Sequence, residues 1–236
     1  MSQVLWLPGW CMLPAVFPKK TISDLFSLPV HVAAPWPGYI TQEEALSVMW
    51  TTEHLVHWLD KEVDRISGGK PIVLVGWSMG GLLALCYALR FPHKVAHLSL
   101  WAASACFMEN NCHPGQTVVE VNSLYKSIQE RDPKVIYRFL KSLVPLAPPN
   151  RDAWRSWSAF VDENIPVPNW EALEASLTWL IQTDIRDQLL NIDLPIDIHH
   201  GVSDAIIPIL AGEYLAKHLS NSQWYSYEKK GHAWWV

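Results

Sequence analysis

A serine stands between two glycines in Gly76-Trp77-Ser78-Met79-Gly80, after the apolar run PIVLVG and ahead of the pattern GGLLALCYALRF. A serine hydroxyl is a poor nucleophile at neutral pH. It becomes useful when a neighbouring base takes its proton and an acid orients that base. The G-x-S-x-G spacing after a strand and before a helix is the pattern of a nucleophile elbow. Glycines two residues to either side let the backbone pack closely around the sharp turn. The following helix points unpaired N–H groups and its positive end at the serine.

In such a site the acid and then the base follow the nucleophile in chain order, each just past a strand. Asp204 fits the acid, in DIHHGVSDAIIP, and His232 fits the base, in EKKGHAWWV. Asp184, Asp193 and Asp197 read as solvated or capping carboxylates. His199 and His200 are neighbours on a strand and face opposite sides, so they form no joint metal site. His54 and His57 lie three apart on a helix without the HExxH arrangement of zinc enzymes, and His93 sits in a helix-to-strand loop. The expected triad is Ser78, Asp204 and His232. An oxyanion needs two backbone donors near the serine. Met79 supplies one, and Trp10, in the turn LPGWC after the first strand, supplies the other. The four cysteines, Cys11, Cys86, Cys106 and Cys112, form no CxxC pair or zinc-type Cys/His cluster. The reading therefore has no metal and no cofactor.

These residues need strands that end at one edge. QVLWLPG, VHVAAPWPG, PIVLVG, VAHLSLWAA, PIDIHHG and SQWYSYEK read as six strands, alternating with helical segments. That alternation predicts an α/β fold: a mostly parallel central sheet with helices on both faces. The stretch from Thr41 to Ile66 has helical periodicity, with Thr41 and Glu44 as a capping box. Between about Cys106 and Thr183 only helical segments are found. Asp132 caps one, with Pro133 at its first position. Others start at Asn150 and Asn169, and Pro-rich breakers separate them. This block reads as a helical lid. The division is core 1–105, lid 106–183 and core 184–236.

The 236 residues, half of them hydrophobic, suit one packed domain with an insertion. A net charge of −5 argues against a nucleic-acid protein. The N-terminus has no signal-peptide pattern, and no stretch suits a bilayer span. Those features predict a cytoplasmic protein with reduced thiols.

Taken together, LPGWCM, GWSMGGLLAL, RFPHKVAHLSLWAASACF, TDIRDQLLNIDLPIDIHHGVSD and GHAWW resemble the α/β-hydrolases, and more closely the pimeloyl-[acyl-carrier protein] methyl ester esterases of biotin synthesis. The resemblance covers nearly the whole chain. It implies hydrolysis of the methyl ester of pimeloyl-ACP, an apolar pocket lined by Trp10, Trp77, Phe107 and Phe139, and a carrier protein docked on basic lid residues. Trp234 and Trp235 stand next to the base and are further candidates for shaping the site. Lys134, Arg138 and Lys141 share one helix face, and Arg151 and Arg155 share another. A complementary acidic carrier would be drawn to such a patch. The expected partner is the acyl carrier protein, with no nucleic acid or membrane, and the enzyme is expected to be a monomer. The chain departs from the family at Pro8, where a His is common, and at Cys11, where a Gly is common. It shows no hairpin ahead of the first central strand and no helix after His232. Two other readings stay open: a general carboxylesterase on small or acyl esters, and a non-catalytic protein of this fold that binds an acyl group or carrier protein.

Overall fold

Among the described residues, short apolar runs with β-branched and aromatic residues pair into one sheet of six parallel strands. The computed structural model describes residues 3–12, 30–32, 35–40, 49–110, 113–146, 151–164 and 169–236. The strands are β1 (Val4–Leu7), β2 (Val30–Val32), β3 (Ile72–Trp77), β4 (Val95–Trp101), β5 (Ile196–Gly201) and β6 (Ser222–Tyr227), in spatial order β2-β1-β3-β4-β5-β6. Every pairing is parallel. All six correspond to expected strands.

Parallel register puts partnered residues on one face. Trp77, Trp101, His199 and Tyr225 are successive partners across β3 to β6. They form an aromatic strip near the carboxyl ends of the strands, and the chain's last residues close over it. Trp235 packs edge-on against Trp77 at 4.8 Å, and Trp234 lies 4.5 Å from Trp101.

Among the described residues the helices are α1 (Thr52–Ser67), α2 (Met79–Arg90), α3 (Val118–Gln129), α4 (Pro133–Ser142), α5 (Arg151–Asn164), α6 (Trp170–Gln182) and α7 (Ile209–His218). α2 is buried from Met79 to Ala88, which explains its almost unbroken apolar sequence. α1 carries one apolar stripe, Leu55, Val56, Leu59 and Val63, and packs on α2. α1 corrects one expectation. The helix read without interruption from Thr41 to Ile66 is broken at residues 49–51, and the helix that follows starts at Thr52. Thr51 caps it by accepting from the His54 amide, while Thr41 and Glu44 lie outside the described residues.

α3 to α6 lie between β4 and β5. Asp132 and Asn169 cap α4 and α6 as expected, each accepting from a backbone N–H two residues on. Asn150 lies outside the described residues. α3 was not singled out in the sequence, although Thr117 and Glu120 form a reciprocal capping box at its start. Among the described residues no strand stands between β4 and β5, as expected, though isolated bridges do. The segment after β4 makes short β-bridges, Met108 with Gln116 and Asn110 with His113. A further bridge joins Cys106 to Asp184, so the two chain segments leading into and out of the inserted helices meet there. Among the described residues no helix is long and apolar enough to cross a membrane.

Candidate active site

β3 ends at Trp77 and α2 begins at Met79, so the whole reversal falls on Ser78. Its backbone has φ 55° and ψ −119°, a region that side-chain-bearing residues enter only under constraint. Three hydrogen bonds hold it there. Ser78 N–H donates to the Trp101 carbonyl (2.9 Å), and its own carbonyl accepts from Gly81 (2.9 Å) and Leu82 (3.2 Å). The glycines are sterically necessary. A Cβ on Gly76 would lie 2.5 Å from the Gly80 carbonyl oxygen, and one on Gly80 would lie 2.5 Å from that of Leu7. The close approach of Gly80 draws the β1 turn onto the elbow. A Cβ on Gly9 would stand 3.3 Å from Ser78 Cβ.

That turn, Pro8 to Met12, is tied down from several directions. The Trp36 indole donates to the Gly9 carbonyl (3.2 Å). The Trp10 indole N–H lies within reach of two acceptors on α6, Ser176 Oγ (3.1 Å) and the Leu173 carbonyl (3.2 Å). Cys11 has φ 63° and donates its N–H to Tyr39 Oη (3.3 Å). A left-handed backbone there gives the physical reason why glycine suits this position. Among the described residues none accepts a hydrogen bond from the Trp10 or Met79 backbone N–H.

The candidate acid, Asp204, and the candidate base, His232, come from the loops after β5 and β6. Gly201 lets these loops touch: a Cβ on it would strike the carbonyls of Gly231 and Lys230. Ser203 N–H donates to the Lys230 carbonyl (2.8 Å). The loop after β6 is also held by the end of α4, because Ala233 N–H donates to the Leu143 carbonyl (2.9 Å). His232 Nδ1 lies 2.8 Å from Asp204 Oδ2. Asp204 Oδ1 accepts from the amides of Ile206 (2.8 Å) and Ile207 (2.9 Å). Burial alone would raise the Asp204 carboxyl. The charge available on His232 and hydrogen bonds from His200 and His232 oppose burial and prevail, holding it well below the usual carboxylate range. Because the Asp204 carboxylate can only accept, the His232 proton sits on Nδ1 and Nε2 is free to take a proton. Among the described residues no hydrogen bond joins Ser78 to His232. The His232 ring lies 5.4 Å from that of Trp77, whose indole donates to the His232 carbonyl (3.1 Å).

The other expected residues are spread around this centre. Trp10 and Phe139 meet edge to face at 5.0 Å. Trp77 supports the base, and Phe107 is buried just past β4. Trp234 and Trp235 pack on the aromatic strip. Lys134, Arg138 and Lys141 line one groove of about 730 Å³ with Tyr137, Trp154 and Leu146. Arg151 and Arg155 are exposed on α5 but do not line it. Three of the five cations have carboxylate partners: Lys141 with Asp162 (3.0 Å), Arg155 with Asp152 (3.4 Å) and Arg138 with Asp132 (3.7 Å). A larger cavity, about 1050 Å³ between α1, α2 and α6, is lined by none of the three triad candidates. Two of the other acids weighed in the sequence are occupied elsewhere. Asp184 pairs with Arg186 and Asp197 with His97. Among the described residues no group of three or more His, Cys, Asp or Glu could hold a metal.

Sequence reasoning missed two residues beside the acid. His200 is fully buried and reaches Asp204 Oδ2 at 3.3 Å. The only signal was its place, one residue before Gly201 and on the face opposite His199. Gln116 donates its side-chain amide to the Ile206 carbonyl (2.7 Å), tying the segment before α3 to the acid loop. Nothing in its sequence neighbourhood marks it.

Comparison with known proteins follows the same lines. The family profile described as alpha/beta hydrolase fold matches residues 32–234. A pimeloyl-[acyl-carrier protein] methyl ester esterase of Aeromonas hydrophila is 31% identical over 98% of this chain and 88% of its own length. Another so named, from Aromatoleum aromaticum, is 33% identical over 68% of this chain. The match spans 66% of that relative, just under two thirds of its length. An esterase from Exiguobacterium antarcticum superposes with a TM-score of 0.82 at 22% identity, over 99% of this chain and 85% of the other. At that identity the likeness is one of fold.

Proposed function

The chain belongs to the pimeloyl-[acyl-carrier protein] methyl ester esterase family of α/β-hydrolases, and from that premise we propose that it is a serine carboxylesterase cleaving the methyl ester of pimeloyl-ACP. The observation that carries this reading is the buried His232–Asp204 pair at 2.8 Å, held by the indole of Trp77 next to a strained Ser78 against which the Gly9 turn is packed.

In this mechanism His232 Nε2 takes the Ser78 hydroxyl proton as Oγ bonds to the ester carbonyl carbon. The Trp10 and Met79 amides stabilise the oxyanion. The tetrahedral intermediate collapses, the carbon–methoxy bond breaks, and His232 returns the proton to give methanol. Water then attacks the acyl-serine, losing a proton to His232, and pimeloyl-ACP leaves as its free carboxylate with Ser78 restored. Each oxyanion donor contributes about 3 kcal/mol in the transition state. The reaction needs no metal or cofactor. Trp10, Trp77, Phe107 and Phe139 surround the acyl chain, the inserted helices act as the lid, and the carrier meets Lys134, Arg138, Lys141, Arg151 and Arg155. The enzyme works as a cytoplasmic monomer.

One observation favours a second reading, a general esterase on small substrates: three of the five docking cations already have carboxylate partners. Methanol release from methyl-pimeloyl-ACP and from a small methyl ester separates the two. The expected result is preference for the carrier-bound ester, with Ser78→Ala slower by at least about 10⁴-fold. Equal use of both esters would favour the general esterase. Full activity in the Ser78→Ala protein would overturn serine catalysis.

A further inference from the structure

His200 takes no part in the chemistry above, yet it is fully buried against the carboxylate which that chemistry requires. Its Nε2 lies 2.8 Å from the Ile207 carbonyl oxygen and 3.3 Å from Asp204 Oδ2. A carbonyl can only accept, so the proton of the neutral ring sits on Nε2. That single N–H forks between the carbonyl and the carboxylate. Nδ1 is then a bare acceptor, and among the described residues it has no hydrogen-bond partner. An unpartnered buried nitrogen costs stability. The ring nevertheless keeps this orientation, and α7 leaves room for it. A Cβ on Gly212 would lie 2.5 Å from His200 Nδ1 and 2.8 Å from the Trp224 ring.

We propose that His200 is a positioning residue, whose Nε2–H aims Asp204 Oδ2 at His232 and shares the carboxylate's charge with it. This rests on the triad reading above. The groups facing Asp204 are His232 from the loop after β6, His200 from β5, and the amides of Ile206 and Ile207 from its own loop. Gly212 of α7 lies against the His200 ring and the Trp224 ring of β6 stands 6.1 Å from it, and neither titrates. Without His200, more of the carboxylate's charge falls on His232. The imidazolium then forms more readily, and the base is lost at a higher pH.

The test compares wild type with His200→Leu, His200→Gln and Gly212→Ala. One measurement is the pH profile of kcat and of kcat/KM on a soluble p-nitrophenyl ester. The other is the downfield proton resonance of His232 Nδ1–H in the free protein. In His200→Leu, kcat should fall about tenfold with KM unmoved. The acid limb should rise by about half a pH unit to one unit, and the resonance should shift. Gly212→Ala should move both readouts the same way by displacing the ring. His200→Gln, whose amide can still donate, should recover part of the loss. The proposal is overturned if His200→Leu, or Gly212→Ala should the former not fold, keeps the wild-type limb and resonance and merely melts earlier. If wild type cleaves no ester, the esterase reading fails separately, and the resonance still decides the role of His200.

Discussion

Ser78 has its φ of 55° because its amide and carbonyl are claimed by two different elements, β4 on one side and α2 on the other. Such strain costs about 1–3 kcal/mol and is kept where the surrounding structure determines it. His199 holds a different kind of tension. It stacks on Tyr225 and Trp234 and bonds Tyr227 Oη through Nδ1 (2.8 Å). Burial, with His97 nearby, lowers its pKa to about 4 against the opposing pull of Asp197. In the unfolded chain it takes a proton near pH 6.5, so between there and about 4 the unfolded state binds more protons. Its contribution is complete above that window and fades as pH falls through it. Urea unfolding from pH 7.5 to 4.5 should show wild type losing about 1–3 kcal/mol more than His199→Gln. Parallel losses would mean that His199 is not the titrating group.

At the scale of elements, β3, the elbow and α2 behave as one rigid piece pressed against the β1 turn. Gly80 is the contact point, since a Cβ there meets backbone oxygens of Leu7 and Pro8 at 2.5 and 2.6 Å. No flexible side chain can yield. Gly80→Ala should therefore lower stability by about 2 kcal/mol and ester turnover by at least about a hundredfold. A folded variant with wild-type turnover would show that elbow and turn move independently. Much at this scale was legible. Six strands and the caps at Asp132 and Asn169 follow from period, β-branching and side-chain chemistry. α3 was missed because its sequence, VVEVNSLYKSIQ, opens on β-branched residues, and only the Thr117–Glu120 box overrides them. The break before α1 was not read because the amphipathic spacing continues across Thr51, where the cap forms.

Across the whole molecule, an acidic protein of net charge −5 presents Lys134, Arg138 and Lys141 along one groove. If an acidic carrier docks there, long-range charge governs encounter, and salt weakens it. Raising salt from 50 to 500 mM should reduce kcat/KM on the carrier-bound ester by about tenfold. A small ester should be unaffected, and Lys134→Glu with Arg138→Glu should remove the salt dependence. Salt-insensitive carrier-ester turnover would remove this groove from the docking surface.

The family, the parallel sheet and the places of Ser78, Asp204 and His232 just past strand ends were legible in the sequence. Strand periodicity, the G-x-S-x-G spacing and residues placed just past strand ends are local patterns, and local sterics enforce them. The tertiary structure alone decided which groups surround them. Gly201 and Gly231 bring the loops of Asp204 and His232 together, Gln116 ties an inserted segment to the acid loop, and His200 turns its one proton toward the carboxylate. These contacts join residues far apart in the chain or set by the packing of a neighbouring helix. No short-range pattern encodes them, because they depend on where whole elements come to rest.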